Sequence, residues 1–292
     1  MQQGNEPAAP GKGGAEGEFS TFSLAHAAEE IVRAGPGSTV DWQGVSLSTH
    51  FQPVFNVRLQ RCHGFEALVR AVDDDGAVSW DELHARTSQV ARVLLDWSCR
   101  AMHLRNYAMV DPGDFTLFIN VHPEAAVRDA GRAREFAGLI RYYGLTPKRV
   151  CVEILQAPCS DEAKLREAVE GYRGLGVSIA IGDFGVGCSN FERVAALRPD
   201  VVKIDRSLLM GTVGQDRARR MLPGIIALLR EMHTKVAVEG IESRAEALAA
   251  IDAKADYLQG YFLAIPRAAL ADEQGTVLRL DQLLDASRLA AA

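Results

Sequence analysis

"RVCVEILQAPCSDEAKLREAVEGYRGLGVSIAIGDF", residues 149–184, holds two apolar runs on either side of a helical pattern. Val150, Val152 and Ile154 alternate with Cys151 and Glu153, the period of a strand. Asp161 to Leu175 repeats apolar positions at helical spacing, and Gly174 and Gly176 close it. Ile179-Ala180-Ile181 is a second buried strand. A strand, a helix and a strand in this order make a right-handed unit with parallel strands. The second strand ends in Gly182-Asp183-Phe184-Gly185, one carboxylate among small residues.

The same alternation extends in both directions. "VSLSTHFQPVF" and "HGFEALVRA" read as strands, followed by a long helical pattern from Asp81 to about Met109. Then come "FTLFINV", a helix near 124–142, the unit above, a short helix near 190–197 and "VVKIDRS". A helix near 215–233, "KVAVEGI", a helix near 243–253 and "YLQGYFLA" complete the series. Some seven or eight such units in ~250 residues fit one closed (β/α)₈ barrel better than an open sheet. No G-x-G-x-x-G follows the first strand, which argues against a dinucleotide fold.

Outside this region the pattern changes. Residues 1–18, rich in Gly, Ala, Pro and Glu, are expected to be a disordered tail. Residues 19–45 are expected to form a helix and linker, with Ser20 as N-cap and Gly35-Pro36 as its end. The barrel is expected over 46–270 and a closing helix and tail over 271–292.

Of the 292 residues, 48% are hydrophobic and 24% charged, an ordinary globular composition. The net charge of −6 argues against a partner that is a nucleic acid polymer. No apolar run reaches the length of a membrane span, so no membrane insertion is expected. Five cysteines (62, 99, 151, 159, 188) without a CxxC fit a reducing cytosol better than a disulfide framework or a zinc site.

The polar residues at the strand ends carry the chemistry. "GFEALVR" delivers Glu66 and Arg70, "LFINV" Asn120, "VCVEILQ" Glu153 and Gln156, and "IAIGDF" Asp183. "VVKID" delivers Lys203 and Asp205, "VAVEGIE" Glu239 and Glu242, and "YLQGY" Gln259. Each alone reads as a solvated loop residue. Together, in apolar surroundings on one rim of a barrel, they read as a site. Carboxylates and amide oxygens without His or Cys suit Mg²⁺, Mn²⁺ or Ca²⁺. Paired ions of that kind serve phosphodiester hydrolysis. "DFG" lacks the companion loops of a kinase, and "GDFGVG" lacks the Gly-Lys-Ser/Thr ending of a Walker loop.

"GFEALVR", "FINVHP", "VEIL", "DFGVGCSNF", "VVKIDRSLL", "VAVEGIES" and "DYLQGYFLAIP" together resemble the EAL domain, the bacterial cyclic di-GMP phosphodiesterase module, from about Thr49 to about Pro266. The resemblance implies a TIM-like (β/α)₈ barrel with its first strand antiparallel. It implies Glu66, Asn120 and Glu153 as ligands of one metal, and Asp183 as a ligand shared with, or belonging to, a second. Lys203 would position water and metal, Glu239 would act as base or metal support, and Gln259 would lie beside metal and nucleotide. Gln52, Leu68 and Arg70 would contact the nucleotide, Arg70 at a phosphate. The cofactor would be Mg²⁺ or Mn²⁺ in an active protein, with none required for a receptor.

Three positions and one segment depart from the family pattern. Gly182 stands where the family has the first of two aspartates, and Gln156 where it has a second acid. Val186 replaces the family's Thr, and "GAVSWDELHARTSQVARVL" departs from the family's next segment. Losing a carboxylate weakens metal positioning and hence turnover, whereas nucleotide contacts do not depend on it. The leading expectation is a receptor that binds cyclic di-GMP without hydrolysing it and signals through an unidentified protein partner. A working phosphodiesterase giving linear pGpG, and an interaction scaffold without nucleotide, are the alternatives. A homodimer is expected by analogy with the family.

Overall fold

The computed structural model describes residues 37–110, 113–186, 191–208, 216–268, 279–281 and 284–285. The expected tail, the N-terminal helix and most of the closing segment lie outside these residues.

Among the described residues the first elements are strands β1 (Val40–Trp42), β2 (Val45–Asn56), β3 (Arg61–Asp73) and β4 (Gly76–Val78). Helices α1 (Trp80–Arg86) and α2 (Gln89–Met109) follow. Next are β5 (Thr116–Val121), α3 (Pro123–Arg128), α4 (Ala133–Tyr142), β6 (Val150–Ile154), α5 (Glu162–Gly174) and β7 (Ser178–Phe184). The series ends with α6 (Phe191–Leu197), β8 (Val201–Ile204), α7 (Asp216–Glu231), β9 (Lys235–Val238), α8 (Arg244–Asp252) and β10 (Tyr257–Leu258).

Eight of these strands close a barrel in the order β2-β10-β9-β8-β7-β6-β5-β3, and β2 pairs with β3 to complete the ring. β2 runs antiparallel to both its neighbours, and the other pairings in the barrel are parallel. β1 and β4 extend the long β2–β3 hairpin beyond the barrel. No helix among the described residues is long and apolar enough to cross a membrane.

Two expected helices are each broken. The pattern from Asp81 to Met109 divides at Thr87-Ser88. Thr87 Oγ1 donates back to Leu83 O at 2.8 Å, while Ser88 Oγ accepts from Ala91 N and starts the next helix. The pattern near 124–142 divides at Asp129–Arg132, where Gly131 has φ +81°, a conformation that favours glycine.

The apolar side chains form two layers. The larger lies between strands and helices. The smaller fills the barrel lumen: Val54, Phe118, Cys151, Ala180, Val201, Ala237 and Tyr257. Burial raises the thiols of Cys62, Cys99 and Cys151, and these and Cys159 are unpaired. Helix α2 is tied down by Arg100, fully buried, whose Nη1 donates to Asp129 Oδ2 at 2.6 Å and which also pairs with Asp96. Asp96 Oδ2 in turn accepts from His122 N at the end of β5.

His103, on the same helix, is buried, and its Nδ1 lies 2.8 Å from Thr49 Oγ1. Asn106 Nδ2 donates to that hydroxyl, which leaves the hydroxyl proton for a neutral ring. Burial lowers the His103 pKa to about 3. The folded pKa lies below the unfolded value of about 6.5. The neutral ring therefore stabilises fully above that pH, and the contribution is lost as pH falls toward 3. In that window H103N is expected to reduce the slope of unfolding free energy against pH by about 1 kcal/mol per pH unit. Urea denaturation at a series of pH values measures it, and parallel slopes for the two proteins would refute the assignment.

Candidate functional site

Side chains alternate across a strand, so the residue two positions from each lumen residue also points inward. Above the apolar layer this rule places Gln52 (from Val54), Asn120 (Phe118), Glu153 (Cys151), Gly182 (Ala180), Lys203 (Val201), Glu239 (Ala237) and Gln259 (Tyr257). Glu66 on β3 pairs in register with Gln52 and completes the ring. Each barrel strand thus presents one residue at its rim. Seven are polar and one is glycine. In a (β/α)₈ barrel this carboxyl-terminal rim carries the chemistry.

Lys203 is fully buried at the centre. Its Nζ donates to Glu66 Oε2 and Glu153 Oε2, both at 2.7 Å, and pairs with Glu239. The ligand atoms of these three carboxylates lie within 4.8 Å of one another. Asn120 Nδ2 donates to Glu66 Oε1 at 2.7 Å. Gln259 Nε2 donates to Glu66 Oε2 at 2.8 Å and to Gln52 Oε1 at 3.1 Å.

One ammonium faces three carboxylates. Burial works against charge on Glu66, but the Lys203 ammonium and hydrogen bonds from Lys203, Asn120 and Gln259 outweigh it and hold its pKa down. Burial pushes Glu153 well above its usual value, against Lys203 and with the repulsion of Glu66 and Glu239. Burial likewise raises Glu239 to about 7, opposed by Lys203. Burial would lower Lys203, but its three carboxylates keep it charged. The cluster therefore carries excess acid that holds a proton near neutrality.

Two buried amide oxygens, Asn120 Oδ1 and Gln259 Oε1, have no hydrogen-bond partner. Orphaned oxygens beside surplus carboxylates fit a hard divalent cation, which takes oxygen ligands.

Gly182 is the gap in the ring. A Cβ built there would lie 2.3 Å from Glu153 Oε1 and 3.2 Å from its Cδ and Cγ. The Glu153 carboxylate thus lies over the place of the missing side chain. The next residue, Asp183, has φ +49°, and the pairing of β7 with β8 shifts register between Ile181 and Phe184. Asp183 consequently lines the cavity wall, outside the three-carboxylate cluster.

The ring floors a cavity of about 440 Å³. Leu68 and Arg70, farther along β3, line it, as do Gln52, Asp183 and Gln259. Gln156 lies off the ring, 3.5 Å from Arg193 Nη1 through its Oε1, and its Nε2 is buried without a partner. Asp205 and Glu242, both strand-end acids, do not line the cavity. Asp205 Oδ1 accepts from Ser207 N at 2.7 Å, and Glu242 pairs with Arg206. Trp80, Asp96, His103, His122 and Tyr261 line the cavity as well, and strand-end reasoning missed them. Of these, His122, two residues beyond Asn120, and Tyr261, two residues beyond Gln259, carried a signal in the strand pattern.

Comparison with known proteins agrees with this geometry. The family model "EAL domain" matches residues 42–266. The chain is 27% identical over 238 residues to the cyclic di-GMP phosphodiesterase NbdA of Pseudomonas aeruginosa, covering 77% of this chain and 30% of that protein. It is 26% identical over 223 residues to YkuI of Bacillus subtilis, an EAL-domain protein, covering 74% and 54%. Against the first relatives matched, the chain spans about a third or less of their length. Among solved structures, a standalone EAL protein of Vibrio cholerae in its cyclic di-GMP-bound form superposes with a TM-score of 0.69 at 26% identity. That match covers 76% of this chain and 93% of the other. The manganese and cyclic di-GMP complex of Klebsiella pneumoniae BlrP1 shares the fold, with a TM-score of 0.68 at 21% identity over 76% and 56%.

Proposed function

The chain belongs to the EAL domain family, and from that premise we propose that it is a receptor that binds cyclic di-GMP in the rim cavity without hydrolysing it. The observation that carries this reading is the ring with one missing acid: Gly182 where the seven other strands present polar groups, with Glu153 lying over the gap. Relatives and structural neighbours that are described with cyclic di-GMP support the choice of ligand.

In this reading Arg70 receives a phosphate, and Gln52 and Leu68 contact the rest of the nucleotide. Glu66, Asn120 and Glu153 would hold one divalent cation, Mg²⁺ or Mn²⁺, and Asp183 would approach a second. When bound, such ions supply positive charge for a phosphate and an acidified water. Lys203 holds Glu66, Glu153 and Glu239 in one orientation, and Gln259 keeps Glu66 and Gln52 in register. Glu239, the rim acid with a pKa near 7, would be the proton acceptor or a metal support only in an active protein. Without a carboxylate at 182 the chain would offer a bound cation one fewer charged ligand, which would cost the transition state more than the ground state. The second reading, an active phosphodiesterase, is favoured by the retained acids and the two orphaned amide oxygens.

The test is calorimetric titration of cyclic di-GMP into the protein with Mg²⁺, followed by chromatography of the recovered nucleotide. Saturable binding with intact nucleotide supports the receptor. Recovery of linear pGpG overturns it in favour of the enzyme, and absence of binding leaves the scaffold.

The cation is tested separately. A proton must leave the cluster as a cation enters, so Mn²⁺ affinity is expected to rise as pH increases through about 7. Calorimetry in two buffers of different ionisation enthalpy should detect about one proton released per site near neutrality. Release that is absent in both buffers would refute the cation assignment.

A further inference from the structure

We propose that Trp80 is the stacking platform for one purine ring of the bound nucleotide, an inference that rests on the reading above. Trp80 opens α1 immediately after its N-cap Ser79, whose Oγ accepts from Glu82 N at 3.2 Å. Its indole lines the cavity and keeps 36% of its surface open. A large flat apolar side chain that is left open in a cavity wall offers its face to whatever enters.

The indole is supported by a neighbouring ring. The His84 ring lies against it with centroids 5.9 Å apart and planes 29° apart. His122, the N-cap of α3, lies on His84 at 5.3 Å and 32°. This column of three rings joins α1 to the end of β5, two residues beyond Asn120. The far end of α1 is pinned as well: Arg92 Nε donates to His84 O at 3.0 Å and Thr87 O at 3.1 Å, and Trp42 Nε1 donates to Thr87 Oγ1 at 3.3 Å. An aromatic face oriented before the ligand arrives loses little entropy on binding.

The chemistry that such a face recognises is a planar heterocycle, since every base has a π-face. Arg70 lines the same cavity and offers a fixed charge for a phosphate. A base on Trp80 and a phosphate on Arg70 together define a nucleotide rather than an isolated phosphate or an apolar peptide.

The test uses the chain's own fluorophores. Of three tryptophans, Trp97 is buried with Nε1 on Asp129, Trp42 is bonded to Thr87, and Trp80 alone lines the cavity. Titration with cyclic di-GMP and Mg²⁺ is expected to quench the emission of the wild type. W80F is expected to lose most of that quench while its Kd rises less than about threefold, because a phenyl face still stacks. W80A is expected to raise Kd about tenfold. The inference is overturned if the wild type binds yet W80A has a Kd within about twofold of it, or if W80F keeps the full quench. A wild type that does not bind the nucleotide at all overturns the receptor reading itself, and this inference with it.

Discussion

The double variant G182D/Q156E is expected to cleave cyclic di-GMP to linear pGpG at least about a hundredfold faster than the wild type at saturating Mn²⁺, since one well-placed group at a developing charge is worth about 10²–10³ in rate. Position 182 points into the ring and sits one strand from Glu153. Its backbone lies outside the left-handed region, so an aspartate fits without backbone strain. What stands in its way is the Glu153 carboxylate, 2.3 Å from the new Cβ. That is the far end of a flexible side chain, so it can swing aside. The introduced aspartate would therefore do two things: add a carboxylate and return Glu153 to the cation. The change at 156 removes an orphaned buried Nε2 and sets a carboxylate beside Arg193. G182A is the control, because it displaces Glu153 without adding charge and should stay inert. Chromatography of the product decides the matter. A double variant that binds Mn²⁺ and nucleotide yet yields no pGpG would mean that Gly182 is not what limits turnover.

How much of this was legible beforehand follows from period-two alternation. Seven of the eight ring residues lie two positions from an apolar lumen residue, so the strands announced the site and the gap at Gly182 together, while Glu66 follows from its register with Gln52. Asp183 was not legible in the same way. Simple alternation turns it out of the barrel, and its place in the cavity wall depends on φ +49° and on the register shift against β8, a contact with a distant segment. Asp205 and Glu242 erred in the other direction. As strand-end acids they looked like ligands, but local partners, Ser207 N and Arg206, take them up. The helix breaks at Ser88 and Gly131 were written in cap and turn residues that the longer apolar periodicity obscured. Trp80, His103 and His122 come from three different elements, and only closure of the barrel brings them to one cavity.

Replacing Lys203 tests the electrostatics from the other side. K203M keeps the length and apolar stem of the side chain and removes its charge, leaving two buried carboxylates and one half-buried one within 4.8 Å of one another. Removing one partner of a buried ion cluster costs about 3–5 kcal/mol. For a domain of this size that corresponds to a fall in Tm of about 10 °C at pH 8. The sign of its pH dependence follows from linkage. Without the ammonium all three carboxylates become harder to ionise: the folded pKa values of Glu153 and Glu239, already above the unfolded carboxylate value, rise further, and Glu66 loses the main group that holds its pKa down. The folded state then binds more protons than the unfolded one, and stability falls as pH rises through those values. The deficit of K203M against wild type should accordingly shrink on going from pH 8 to pH 5, where protonation neutralises the carboxylates. Mn²⁺ should shrink it too, because a divalent ion replaces the lost charge, so the cation should raise the Tm of K203M more than that of the wild type. Scanning calorimetry at the two pH values, with and without Mn²⁺, measures all three effects. A K203M protein that melts within about 2 °C of the wild type at pH 8, a shift of under about 1 kcal/mol, would show that the lysine does not hold the acids of the rim together.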